Sequence, residues 1–122
     1  MEGTVYKILL FMKRRPGMTR DAFREYYETH HVPLALELSN GLSRYVRRYL
    51  EPVPRVETGS GEDLGYDVIT ELWFTNEQIF KGTVKYLSTT ILSDEMIEDE
   101  MMLFDRAASR MATVTEYVNK ID

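Results

Sequence analysis

Val5-Tyr6-Lys7-Ile8-Leu9-Leu10-Phe11-Met12 is apolar at both alternating parities, which predicts a strand buried on both faces. Arg15-Pro16-Gly17-Met18 reads as a turn. Beyond it, Ala22, Phe23, Tyr26, Tyr27 and His30 recur on one face of a helix. Thr19 is placed to cap that helix, and Asp21 in its first turn suits the macrodipole. Pro33 disfavours helix at Val32, so a bend or break is expected there. A short second segment, Leu34 to Leu38, then runs to Ser39-Asn40-Gly41. Leu42 to Leu50 reads as a second strand, with Tyr45, Arg47 and Tyr49 on one parity and Val46 and Leu50 on the other. The connection from Glu51 to Gly65 holds Pro52, Pro54 and three glycines, and a loop of that length is usually functional or mobile. Its acids Glu57, Glu62 and Asp63 suggest a lid or a dimer arm. Asp67 to Phe74 is a third strand, rich in β-formers. Thr75-Asn76-Glu77-Gln78 forms a capping box, Thr at the cap, for a helix to about Leu87. Ser93-Asp94 starts another helix to about Phe104, and Ala112 to Val118 is the last strand.

The order β-α-β-β-α-(α)-β predicts an α+β, ferredoxin-like sandwich: one antiparallel sheet with helices on one face, in a single domain spanning residues 1–122. The second sheet face would then be bare, yet Leu9, Phe11, Ile69, Trp73 and Val114 share strands with equally apolar neighbours. An uncovered apolar sheet is an association surface, and a homodimer packed sheet to sheet is the simplest way to cover it.

Composition narrows the partners. The absence of cysteine removes disulfides, thiolate metal sites and thiol catalysis, and fits a cytoplasmic location. The apolar run at the start is too short to span a membrane, and the basic residues Lys13-Arg14-Arg15 follow it, the wrong order for a signal peptide. A net charge of −5 argues against nucleic acid. The charge is uneven: residues 1–55 sum to +4 and residues 56–122 to −9. Such halves are expected to face each other, within a subunit or across a dimer, or to leave an anion-attracting mouth around Arg44, Arg47 and Arg48.

Three separated motifs share a family likeness. Lys13-Arg14-Arg15-Pro16-Gly17-Met18-Thr19-Arg20, with Phe23, Tyr26 and His31-Val32-Pro33-Leu34, resembles the start of the EthD family. Tyr66-Asp67 followed by Glu71-Leu72-Trp73-Phe74 resembles its third strand, and Asp94-Glu95 with Phe104-Asp105 its last helix. The resemblance covers most of the chain outside the Glu51–Gly65 loop. It implies a dimeric α/β barrel, two ferredoxin-like subunits packed sheet to sheet. That superfamily includes cofactor-free lactone isomerases, polyketide cyclases, dehydratases, monooxygenases and haem proteins, so fold does not fix function.

The chain's two histidines, His30 and His31, are neighbours, and histidine is the side chain suited to proton transfer near neutral pH. His31 matches the family's His-x-Pro-Leu pattern, whereas helical phase at about 100° per residue favours His30 as the inward residue. Both stand as candidate acid/base groups. Tyr45 is a candidate phenol for a substrate carbonyl and Arg47 a candidate counter-charge. Tyr26 and Tyr27 are expected in the core or lining a pocket. Glu71, mid-strand with Trp73 on its parity, must be paired or face a cavity, and Arg47, Arg110 or a histidine are its expected partners. Met96, Met101 and Met102 are expected to make the pocket adaptable. The acidic run Asp94, Glu95, Glu98, Asp99, Glu100 reads as a solvated helix face. Adjacent histidines do not face one another on a helix, and no phosphate or dinucleotide loop is present. Neither a metal nor another cofactor is therefore expected. The expected activity is cofactor-independent lyase, isomerase or cyclase chemistry on a hydrophobic cyclic or aromatic small molecule. The rivals are a non-catalytic accessory protein of an oxidative degradation pathway and a cofactor-free monooxygenase.

Overall fold

In a computed structural model, which describes residues 3–59, 61 and 63–122, the elements follow the predicted order. They are β1 (Tyr6–Met12), α1 (Arg20–Tyr26), a π-helical turn (Tyr27–His31), α2 (Val32–Leu38), β2 (Arg44–Tyr49), β3 (Val68–Phe74), α3 (Glu77–Thr89), α4 (Asp94–Met101), a short 3-10 turn (Arg106–Ala108) and β4 (Arg110–Thr113). The strands lie in the order β2-β3-β1-β4, with every neighbouring pair antiparallel. This is the ferredoxin-like topology.

The caps are set by short polar side chains that accept from orphan backbone N–H groups. Thr19 accepts from Ala22 N at 3.1 Å, and Ser93 accepts from Met96 N at 3.3 Å. At α3 the cap is Asn76, accepting from Ile79 N at 3.0 Å, one residue later than the capping-box reading of Thr75. Gly17, at φ +84°, makes the turn between β1 and α1, a conformation that side chains resist. The last strand also differs from expectation. It stops at Thr113, where its pairing with β1 ends at Ile8, so Val114 to Val118 lie beyond the sheet. Glu62 of the proposed lid lies outside the described residues.

Side chains alternate across a strand. Ile8 and Met12 of β1 and Val68, Thr70 and Phe74 of β3 are buried against the helices. Phe23, Tyr27, Val32, Leu103 and Phe104 close the core over them. The rings meet edge to face: Phe23 with Tyr27 at 5.9 Å, Phe23 with Phe104 at 5.8 Å, and Tyr27 with Phe104 at 5.6 Å. Each such pair contributes about 0.5–1.5 kcal/mol beyond its burial. The opposite sheet face carries Leu9, Phe11 and Ile69, half-buried, with no helix over them.

Candidate functional site

The first helix does not break at Pro33. It widens. Val32 N–H reaches back five residues to Tyr27 O, and α2 continues from there with Pro33 in its first turn. In an α-helix two steps of four residues drift about 80° around the axis. A π turn, with its i→i+5 bonding, absorbs one extra residue and removes much of that drift. Phe23, Tyr27 and His31 therefore stay on the inner side. His31 is buried, 5 % exposed, and His30 is exposed. His30 stacks on Tyr26 at 4.4 Å and bonds Thr29 Oγ1 through Nδ1 at 2.8 Å. The phase argument for His30 fails because it assumed an unbroken α-helical pitch.

His31 Nδ1 lies 2.6 Å from Asp99 Oδ2, with Asp99 projecting inward from α4. A proton on Nδ1, donated to the carboxylate, leaves Nε2 as the basic nitrogen. Tyr26 donates to the other oxygen, Asp99 Oδ1, at 3.3 Å. Burial, and after it the Asp99 carboxylate, push the Tyr26 phenol above its ordinary range, so it remains a donor. The edges of Tyr27 and Phe104 hold the imidazole plane, at 4.9 and 5.4 Å. Every fully buried side-chain nitrogen or oxygen among the described residues has a hydrogen-bond partner. Nε2 has none, so it keeps access to solvent despite the residue's burial. Asp99 is thus no part of a solvated face, the reading its acidic neighbours suggested. Its side chain is only 10 % exposed.

Tyr27 carries the network from the histidine to the sheet. Its hydroxyl bonds Thr70 Oγ1, and the Tyr45 phenol lies against it. Burial, then Tyr27, push the Tyr45 phenol far above its usual range. Tyr45 is therefore a neutral donor and not a phenolate base. Arg47 is committed elsewhere. It holds Glu28 with two bonds, 3.0 Å from Nε and 2.7 Å from the terminal nitrogen, and also donates to Tyr45 O at 2.9 Å. Tyr49 donates to the same Glu28 at 2.5 Å. Such paired bonds fix both partners, so Arg47 reaches no further as an open counter-charge.

That arrangement makes stability depend on acid. The Arg47 hydrogen bond, helped by Tyr49, outweighs burial and holds the Glu28 carboxyl below its usual 4.5. A depressed native pKa contributes stability above the unfolded value and loses it as pH falls through the native one. Thermal melts from neutral pH to about pH 3 should therefore show a steeper decline in the wild type than in Glu28→Gln. Equal slopes would remove this account of the pair.

Glu71 and Trp73, expected at a binding site, lie on the far side of the sheet from His31. Strand β2 pairs Arg47 with Thr70 and Arg48 with Ile69, so Tyr45, Arg47 and Tyr49 face the helices while Arg48 shares the outer face with Glu71. Glu71 accepts from Arg48 at 2.6 Å and from Trp73 Nε1 at 2.8 Å. Burial raises its pKa, but Arg48 and Trp73 outweigh that and hold it low. Lys7 sits 4.0 Å over the Trp73 ring.

On the helix side two cavities lie beside α3, none of whose residues is fully buried, and His31, Asp99 and Tyr45 line neither. Leu87 lines both. One, about 230 Å³, includes Leu10 and Met12; the other, about 300 Å³, includes Leu42, Leu72 and Phe74. Met101 and Met102, expected in a pocket lining, are instead 62 % and 51 % exposed. The described residues bring no three His, Asp or Glu side chains together as a metal cluster, and no helix among them is long and apolar enough to cross a membrane.

The fold and site define an α+β protein of ferredoxin-like topology with a histidine–carboxylate pair beneath its helices. The EthD domain model matches residues 15–106, and the chain belongs to that family. An EthD family protein of Bacillus halodurans has the same fold, at TM-score 0.57 and 18 % identity, covering 93 % of this chain and all of its own. The Arabidopsis thaliana protein At3g17210 matches at TM-score 0.55 and 12 % identity, over 95 % of this chain and 99 % of its own. An EthD-like protein of Ralstonia eutropha matches at 0.51 and 16 %, over 93 % and 88 %. The search of curated proteins found no match.

Proposed function

We propose that the protein is a cofactor-independent acid–base enzyme, a lyase, isomerase or cyclase, acting on a hydrophobic cyclic or aromatic small molecule. The observation that carries this reading is the His31–Asp99 pair: a 2.6 Å bond on Nδ1 and an unpartnered Nε2. A substrate that reaches His31 would give its proton to Nε2; His31 lines neither of the two cavities beside α3. The oxyanion that develops would take a hydrogen bond from a neutral phenol, with Tyr45 the first choice. A non-catalytic accessory protein would lock its histidines to backbone carbonyls, and His31 instead bonds a carboxylate. Comparing wild type with His31→Gln, on substrates found by screening neutral carbonyl compounds, tests the reading.

The working assembly in this proposal is a homodimer. Leu9, Phe11, Val46 and Ile69 form the apolar part of the outer sheet face, and a second copy would cover it. Light scattering should return twice the chain mass at micromolar concentration. A stable monomer there would leave the apolar outer face unexplained and remove the barrel.

A further inference from the structure

A third cavity has no part in this acid–base reading. It measures about 660 Å³ and lies between the end of β1, the first turn of α1 and the segment before β3. Lys13, Arg14 and Arg20 line it, and Pro52 and Tyr66 form apolar wall. The three cations come from the Lys13–Arg20 stretch, the motif that marks the family and that the histidine chemistry leaves unused.

Asp67 organises them. Its side chain, 12 % exposed, accepts the Arg14 N–H at 2.8 Å. Its other oxygen faces Arg14 Nε at 3.5 Å and Arg20 Nε at 3.8 Å. Both distances exceed the 2.7–3.2 Å of a good hydrogen bond. One carboxylate therefore holds the Arg14 backbone and stands near the Arg14 guanidinium without a close hydrogen bond to its Nε. Asp63, also in the lining, is turned to its own loop, accepting from Gly65 N at 2.8 Å. Lys13 is half-buried, and no ion pair engages it among the described residues. Among the described residues, Lys13 thus lines the cavity as a cation without an ion pair, beside the Arg14 guanidinium.

We propose that this cavity binds a small organic anion, a carboxylate or a phosphate monoester, through Lys13 and Arg14, with its apolar part against Pro52 and Tyr66. Guanidinium suits either head group because its planar fork matches both. The proposal is independent of His31.

Amide NMR titration of the full chain tests it, with benzoate, phenyl phosphate and benzyl alcohol as probes. The expected result is saturable shifts at Lys13, Arg14 and Tyr66 with at least one anion and none with the alcohol. The anion that binds more tightly identifies the head group. Lys13→Gln removes no internal partner and should weaken binding at least about tenfold, as loss of a paired charge does, while His31→Gln leaves it within about twofold. Raising ionic strength should weaken it too, since the cavity is open to solvent. Absence of saturable shifts with both anions, equal binding of benzyl alcohol, or unchanged affinity in Lys13→Gln would each overturn the proposal.

Discussion

Changing His31 to Gln should lower turnover by a factor on the order of 10²–10⁴, the usual worth of a positioned general acid or base. Gln keeps a donor for Asp99 but has no basic nitrogen where Nε2 stood. The fold should survive, at a cost of about 1.5–3 kcal/mol for the charge-assisted bond to a nearly buried partner. His30→Gln is the control. Its ring is exposed and stacked on Tyr26, so activity should stay within about threefold, far short of a lost acid or base. The reverse pattern, with His30→Gln inactive and His31→Gln active, would overturn the assignment. A folded His31→Gln protein with full turnover would sink acid–base chemistry altogether. If the wild type binds ligands, turns over none, and His31→Gln only melts lower, the accessory-protein reading should replace ours.

The topology was legible because hydrophobic alternation and caps are local signals. Tyr6 to Met12 is apolar on both parities for a physical reason: one parity meets the helices, and the other forms the open sheet face. Which residues share a face across strands is not local. Arg47 is an expected partner for Glu71 because a mid-strand acid must be paired or face a cavity. Register decides otherwise: Tyr45 pairs with Leu72, so odd positions of β2 face with even positions of β3. One residue of register moves every side chain to the other face, and no pattern within a single strand reports it. The π turn was equally hidden, since an apolar stripe broken by Pro33 fits a kink as well as a widened turn. Asp99 was lost in an acidic run whose other members do point outward or pair locally, as Glu100 does with Arg106. Its position five residues after Asp94, one turn and a half into α4, was the only available hint.

Asp99→Asn should be nearly as damaging as loss of the histidine, about 10²–10⁴ in kcat with little change in KM. Asp99 touches no reacting atom in this scheme; it is a positioning residue. As a carboxylate it can only accept, so it selects the tautomer with the proton on Nδ1 and leaves Nε2 free. Asparagine can present its amide N–H₂ instead. That donor favours the opposite tautomer, with Nδ1 accepting and Nε2 protonated, and the base is then capped by its own proton. A merely structural Asp99 would change the melting temperature and leave the imidazole as it was. Nitrogen-15 NMR of the labelled histidines separates the two cases. The wild-type His31 spectrum should show a protonated Nδ1 and a bare Nε2, and Asp99→Asn should reverse or mix them. Because the pair acts as a unit, the double variant with His31→Gln should cost little more than either change alone. An unaltered tautomer with unaltered kcat would show that the 2.6 Å bond holds α4 in place and does nothing for the chemistry.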